Sequence, residues 1–227
     1  MFSSGIYAIL DGDRLGLDTP ASVRGALPLL TELAVAAREG GAVALQLRLK
    51  AVDVTPELRA QVAHALVRAV GDRLPLVIND DVAAATALRS GLHLGQGDGD
   101  VAQVRAAVGP AALVGWSTHN MPQVRAAQEL PCDYLGFGPI LWTGSKRGLD
   151  PVTGWAQLTD ACAASVKPVV AIGGLGLEHA VLARAAGAHA MAVIGGWLGP
   201  AGERASAESS HARLVALVAA WQAGGTA

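Results

Sequence analysis

At 227 residues, 52% of them hydrophobic, the chain can bury one large core or two small ones. Charged residues make up only 16%, and a formal net charge of -2 gives no basis for binding nucleic acid or an anionic membrane surface. The mean hydropathy of +0.38 reflects Ala, Val, Leu and Gly, and charges or glycines break every apolar stretch before it reaches membrane-spanning length.

Along the chain, short apolar runs alternate with Ala/Leu-rich amphipathic stretches. The runs predict strands over 6–10, 43–47, 76–78, 92–94, 113–115, 134–137, 169–172 and 190–194. Between them the periodicity predicts helices near 27–38, 56–70, 82–88, 101–108, 122–129, 155–164 and 178–186, with a last one over about 205–220. Eight strands each followed by a helix match an α/β fold of the (β/α)8 TIM-barrel type. A doubly wound open sheet shares the alternation, but the first strand-to-helix turn, Asp11-Gly12-Asp13-Arg14, lacks a glycine-rich dinucleotide fingerprint. No linker or low-complexity stretch divides the chain, so residues 1–227 read as one domain, and the irregular piece over 138–154 reads as an active-site loop. Cys132 and Cys162 fit no metal-ligand spacing or disulfide scaffold and read as small packing residues. Together with an N-terminus lacking signal-peptide character, they predict a cytoplasmic protein.

Polar residues collect where the strands end. Asn79-Asp80 closes the run Leu76-Val77-Ile78, and a second carboxylate, Asp98, follows the next strand. Two neighbouring strands that deliver carboxylates to one end make a site for a hard cation, with magnesium the natural candidate beside substrate phosphates. Gln46, Arg48 and Lys50 end strand two; Ser117, Thr118 and His119 follow strand five; Thr143, Ser145, Lys146 and Arg147 lie in the loop after strand six. Gly173-Gly174 and Gly195-Gly196 follow strands seven and eight, where backbone N–H groups can approach an anion. A metal-bridged anion site and a backbone cradle together suit a substrate pair carrying a diphosphate and a monophosphate.

Six segments in register, Gln46-Leu47-Arg48-Leu49-Lys50, Ile78-Asn79-Asp80-Asp81-Val82, His93-Leu94-Gly95-Gln96-Gly97-Asp98, Trp116-Ser117-Thr118-His119, Gly136-Phe137-Gly138-Pro139-Ile140 and Ala171-Ile172-Gly173-Gly174, make the chain resemble the thiamine phosphate synthase family. The resemblance implies a transferase that joins hydroxymethylpyrimidine diphosphate to thiazole phosphate, with Mg²⁺ as cofactor and small molecules as its partners. It assigns magnesium to Asp80 and Asp98. The pyrimidine diphosphate falls to Arg48, Lys50, Asn79 and Lys146, with Gln46 on the pyrimidine and Ser117 nearby. The thiazole phosphate falls to Thr143, Ser145, Gly174, Ile194 and Gly195. Arg48, Lys50, Lys146 and Ser117 form the implied catalytic set, acting on a diphosphate that leaves before the thiazole nitrogen attacks.

The chain departs from the family pattern at Leu49, Gly97, Trp116, Trp142 and Gly195; the two tryptophans are expected to shape the mouth of the pocket. Blander readings stand beside these. Asp80 could cap a helix, although Asp81 can do so, and Asp98 could be a turn residue, although Asp100 is the better cap. Arg48 and Lys50 could be solvated strand-edge charges, and Gly173-Gly174 a tight turn. His93 reads as a satisfied interior histidine, and His119 either orients its loop or acts as an acid–base group. A thiazole tautomerase and a non-catalytic phosphate-binding barrel are the rival functions. The oligomeric state stays open, a homo-oligomer included.

Overall fold

The computed structural model describes residues 2–50, 53–144 and 151–225. Its strands are β1 (Gly5–Asp11), β2 (Ala44–Arg48), β3 (Leu76–Asn79), β4 (Gly91–Leu94), β5 (Val114–Thr118), β6 (Tyr134–Phe137), β7 (Val169–Ala171) and β8 (Ala190–Val193). They pair in chain order, all parallel, and β8 returns to β1 with Gly5 opposite Ala190 and Ala8 opposite Val193. That last pairing closes the barrel and excludes the open sheet.

The outer helices are α1 (Pro20–Glu39), α2 (Pro56–Val70), α3 (Val82–Leu88), α4 (Val101–Val108), α5 (Met121–Ala126), α6 (Gly154–Ala164), α7 (Ala180–Ala185), α8 (Gly195–Leu198) and α9 (Ala207–Ala223). Helices α2, α3 and α4 start and stop where the periodicity puts them. Helix α1 starts earlier than expected because its true start is a capping box, in which Thr19 accepts from Ser22 N at 3.1 Å and Ser22 reaches back. Pro28, which resembles a first-turn proline, lies inside that helix. Strand β5 runs on through Ser117 and Thr118, opposite Gly136 and Phe137 of β6, so these two residues lie within the strand rather than after it. The short α8 was not expected; four residues carry too little periodicity to read.

Strand pleating sorts side chains into two buried sets. One set, including Ile6, Leu45, Ile78, Leu92, Leu135 and Met191, packs outward against the helices. The other, Phe2, Tyr7, Ala44, Val77, Tyr134, Val170, Ala190 and Ala192, fills the barrel interior. The same alternation places Asp11, Gln46, Arg48, Asn79, His93 and Ser117 on the inward side of their strands. Trp116 therefore belongs to the outward set and is buried under the helices, which corrects the expectation that it lines the mouth. Phe2 plugs the lower end, its ring edge-on to Tyr7 at 5.8 Å and to Tyr134 at 5.3 Å. At the upper end, Arg14 donates to the carbonyls of Leu198, Gly199, Pro200 and Glu203, strapping the loop after β1 to the segment after α8. Beside this strap lies a cavity of about 540 Å³, lined by Leu15, Ala26, Leu29 and Arg204 among others.

Interior packing leaves no slack at Gly115, where a Cβ would sit 2.1 Å from Tyr134 Cζ and 2.4 Å from His93 Nδ1. Gly115→Ala is expected to destabilise the barrel by about 1–3 kcal/mol, the usual range for overpacking. Chemical denaturation checks this, and an unchanged midpoint would show that the interior can yield.

Candidate active site

At the end of β3 the chain turns sharply through Asp80, a non-glycine residue at φ 63. Asp and Asn tolerate this left-handed conformation better than most residues. Asp80 N still donates to His93 O at 2.9 Å, and Asp81 then caps α3 by accepting from Ala84 N at 2.9 Å. The cap thus falls to Asp81, and the Asp80 carboxylate is left to pair with Lys50 Nζ at 2.9 Å. After β4 the same division recurs. Asp100 caps α4, while Asp98 accepts from Gly95 N at 2.8 Å and hydrogen-bonds Asp80.

The two carboxyls titrate differently. Burial, followed by the hydrogen bond to Asp98, holds the Asp80 carboxyl above the usual carboxylate range against the pull of Lys50. Burial also raises Asp98, but the Gly95 N–H, the Asp80 hydrogen bond, Lys50 and His93 together bring it below that range. The pair is thus split in acidity, with Asp80 the weaker acid and Asp98 the stronger, as expected for two close carboxyls in unequal surroundings. Both supply the oxygen ligands magnesium takes, so the donor set fits a shared divalent ion. Among the described residues no group of three or more His, Cys, Asp or Glu forms a metal cluster.

Arg48 is less free than its position at a strand end suggests. It sits in register with Asp11 of β1, and the two form an ion pair with Asp11 fully buried. Asp13 adds a second contact at 3.6 Å. Sequence reading treated Asp11 only as part of a turn; its inward parity on β1 was the available signal. Asn79 lies beside this group, half-buried on the inward side.

Gln46 and Ser117 lie at the two ends of a buried polar line. Gln46 Nε2 donates to Tyr7 OH at 3.1 Å, and the Tyr7 and Tyr134 hydroxyls lie 3.0 Å apart. His93 Nδ1 lies 3.0 Å from Tyr134 OH, and its Nε2 lies 2.9 Å from Ser117 Oγ. His93 is thus satisfied, as expected, but it touches a candidate site residue. Burial pushes both phenols above their ordinary range, outweighing for Tyr7 its bonds to Tyr134 and Gln46, so both stay protonated. His119 Nδ1 meets Gly138 O at 2.5 Å and its backbone N–H donates to Gln123 Oε1 at 2.7 Å. These bonds tie the end of β5 to the loop after β6, in line with the loop-orienting alternative.

The opposite rim is built from backbone. Ile140 N donates to Ile172 O at 2.9 Å and Leu141 N to Gly173 O at 3.1 Å, laying the loop after β6 across the end of β7. Gly173 and Gly174 have φ 90 and 74, and a Cβ on Gly174 would meet Trp142 O at 2.6 Å. These glycines therefore allow the loop to approach, as well as any ligand. Ile194 and Gly195 open α8, with open space beside the Gly195 Cα. Thr143 is half-buried in the same loop, and Trp142 is 80% exposed. Ser145 and Lys146, with Arg147, lie outside the described residues.

Residues 22–196 match the family described as thiamine monophosphate synthase. The chain belongs to that family. The thiamine-phosphate synthase of Koribacter versatilis (strain Ellin345) is 38% identical over 205 residues, covering 88% of this chain and 92% of the relative. That of Anaeromyxobacter dehalogenans (strain 2CP-C) is 38% identical over 212 residues, covering 93% and 88%. Among solved structures, thiamine phosphate pyrophosphorylase from Pyrococcus furiosus superposes with a TM-score of 0.77 at 22% identity, over 97% of this chain and 96% of that one. The last likeness concerns the barrel fold alone.

The Arg48–Asp11 pair is a structural feature this member of the thiamine monophosphate synthase family can be tested on. Asp11→Ala strands a nearly buried guanidinium and is expected to cost about 3 kcal/mol of stability. Arg48→Met/Asp11→Leu should recover most of that loss, as read by thermal unfolding. If the single and double variants are equally unstable, the pair is not what holds the two strand ends.

Proposed function

We propose that this chain is a single-domain thiamine phosphate synthase: it condenses hydroxymethylpyrimidine diphosphate with thiazole phosphate and releases diphosphate. The observation that carries this reading is the Asp80–Asp98 carboxylate pair flanked by Lys50 and Arg48, across the barrel mouth from the glycine rim of β7 and β8. One side suits a metal-bound diphosphate, the other a monophosphate.

In this reading Asp80 and Asp98 would hold magnesium, which when bound supplies positive charge to the diphosphate oxygens. Arg48, Lys50, Asn79 and Lys146 bind the diphosphate, and the cations among them stabilise the negative charge that develops as the carbon–oxygen bond breaks. The bonding electrons leave with diphosphate, the pyrimidine methylene carries the positive charge, and the thiazole nitrogen lone pair then forms the new carbon–nitrogen bond. No protein nucleophile takes part. Gln46 orients the pyrimidine and Ser117 hydrogen-bonds beside the reacting carbon. Thr143, Ser145, Gly174, Ile194 and Gly195 hold the thiazole phosphate, with the backbone N–H groups facing its oxygens. The bonding of His119 to Gly138 O suits a residue that positions a loop, and a tautomerase would need it as a proton carrier.

The substrates are small molecules, and no helix among the described residues is long and apolar enough to cross a membrane. Cys132 and Cys162 are free thiols, which supports the cytoplasm as the place of action.

Thiamine phosphate formation from the two purified substrates tests the reading directly. Asp80→Ala and Asp98→Ala should each lower turnover about 10²-fold or more, and EDTA should abolish it until magnesium is restored. Undiminished turnover in EDTA would remove the metal from the reading. Separately, His119→Asn should retain at least about a tenth of the activity, whereas loss of a proton carrier costs about 10²–10⁴-fold. Strong His119-dependent tautomerisation with no thiamine phosphate would replace the assignment.

A further inference from the structure

The polar line inside the barrel has a direction. Each hydroxyl owns one proton and a neutral imidazole owns one N–H, so every bond constrains the next. Tyr7 O accepts from Gln46 Nε2, and among the described residues the remaining partner for its own proton is Tyr134. Tyr134, having accepted, donates to His93 Nδ1, which places the ring proton on Nε2. That N–H points at Ser117 Oγ, and the Ser117 proton is left to be donated to something else.

Turning the Gln46 amide by half a revolution reverses every bond. Oε1 then accepts from Tyr7, Tyr7 from Tyr134, Tyr134 from His93 Nδ1–H, and His93 Nε2 from the Ser117 hydroxyl. Ser117 would then offer only lone pairs outward. A mixed arrangement would leave two buried protons, or two lone pairs, facing each other, which a buried network does not tolerate cheaply. All five side chains are buried, so water does not readily break the line.

We propose that Tyr7, Tyr134 and His93 are positioning residues that transmit the orientation of the Gln46 amide to the Ser117 hydroxyl. The inference rests on the reading above that Gln46 and Ser117 face the pyrimidine substrate. With one N–H given to Tyr7, Gln46 keeps Oε1 and its other N–H. Those two groups match an amino group beside a ring nitrogen. The reversed amide exchanges the positions of acceptor and donor, so a ring held in place by its diphosphate no longer matches it. Binding of an aminopyrimidine therefore fixes the line in the state where Ser117 donates, toward an oxygen of the departing diphosphate.

The test is ¹⁵N NMR of His93 in the substrate-free protein, at about pH 8 where imidazole is neutral. Wild type should show the Nε2–H tautomer. Gln46→Glu, once its ¹³C carboxyl shift shows it ionised, can only accept, and should switch His93 to Nδ1–H from two tyrosines away. In a Tyr134→Phe background the tautomer should be the same with Gln or Glu at position 46. Tyr134→Phe should also lower kcat about tenfold with the Michaelis constant for thiazole phosphate unchanged. The proposal is overturned by a tautomer that ignores Gln46→Glu, by a switch that survives Tyr134→Phe, or by an unchanged kcat. Should Gln46→Glu not fold, Tyr134→Phe alone decides: it should weaken the Nε2–H preference, and an unaltered preference overturns the idea. Absence of product from wild type would instead count against the functional reading, since the NMR arm needs no substrate.

Discussion

Closure of β8 onto β1 is the constraint from which the rest of the structure follows. Parallel strands that close on themselves have one interior, and all their C-terminal ends open on the same side. The lower interior is filled by Phe2, Val77, Val170, Ala190 and the two tyrosine rings. Higher up, inward positions carry Asp11, Gln46, Arg48, His93 and Ser117, and a buried polar group left without a partner costs about 1–3 kcal/mol. The barrel meets that demand by pairing these groups with each other. The ion pair of Asp11 with Arg48 and the line from Gln46 to Ser117 are therefore conditions of folding as well as features of the site.

The same economy separates the helix-capping carboxylates from those of the proposed site. Asp81 and Asp100 accept the first N–H groups of α3 and α4, a common role for aspartate at helix starts. Asp80 and Asp98 are thereby released. For Asp80 the release involves a left-handed backbone, worth roughly 1–2 kcal/mol of strain. Asp80 and its hydrogen-bonded partner Asp98 stand together where the proposed reading puts magnesium. Local strain and electrostatic frustration fall at one place, where the proposed chemistry needs them.

How much of this the sequence disclosed depended on the range of the interactions. Apolar runs and helical periodicity are local, so the eight strands and the bounds of α2, α3 and α4 could be read directly. The start of α1 was misplaced because it was read from periodicity, whereas the capping box of Thr19 and Ser22 sets it. That Asp80, Lys50 and Asp98 come together was legible because all three sit at or just beyond the C-terminal ends of neighbouring strands. The bond from Tyr7 to Tyr134 joins residues 127 positions apart, and in the sequence both look like apolar strand residues. Asp11 was hidden for a similar reason, since a carboxylate at a strand end reads as a turn until its register partner is known to be Arg48. Trp116 was misassigned to the mouth because proximity to Ser117 was weighed above the parity that turns adjacent strand residues to opposite faces.

The two cations beside the carboxylates are built for different work. Lys50 is 42% exposed and its bond to Asp80 lies at the surface, where such pairs contribute about 0–1 kcal/mol. In the proposed function it would leave Asp80 at little cost when a diphosphate and a metal compete for both partners. Arg48 cannot. Its side chain is 11% exposed, and its partner Asp11 is wholly buried, so separating them would strand a charge in the interior. Yet the described contacts to Asp11 and Asp13 run through Nη1 alone. Among the described residues this leaves Nε and Nη2 of the planar guanidinium for the proposed oxyanion, in a geometry that lysine cannot reproduce. The barrel thus presents one cation that is fixed before binding and one that is free to move. In the proposed function a leaving group that gains negative charge as it departs would be served by both: the first has nothing left to reorganise, and the second can follow it.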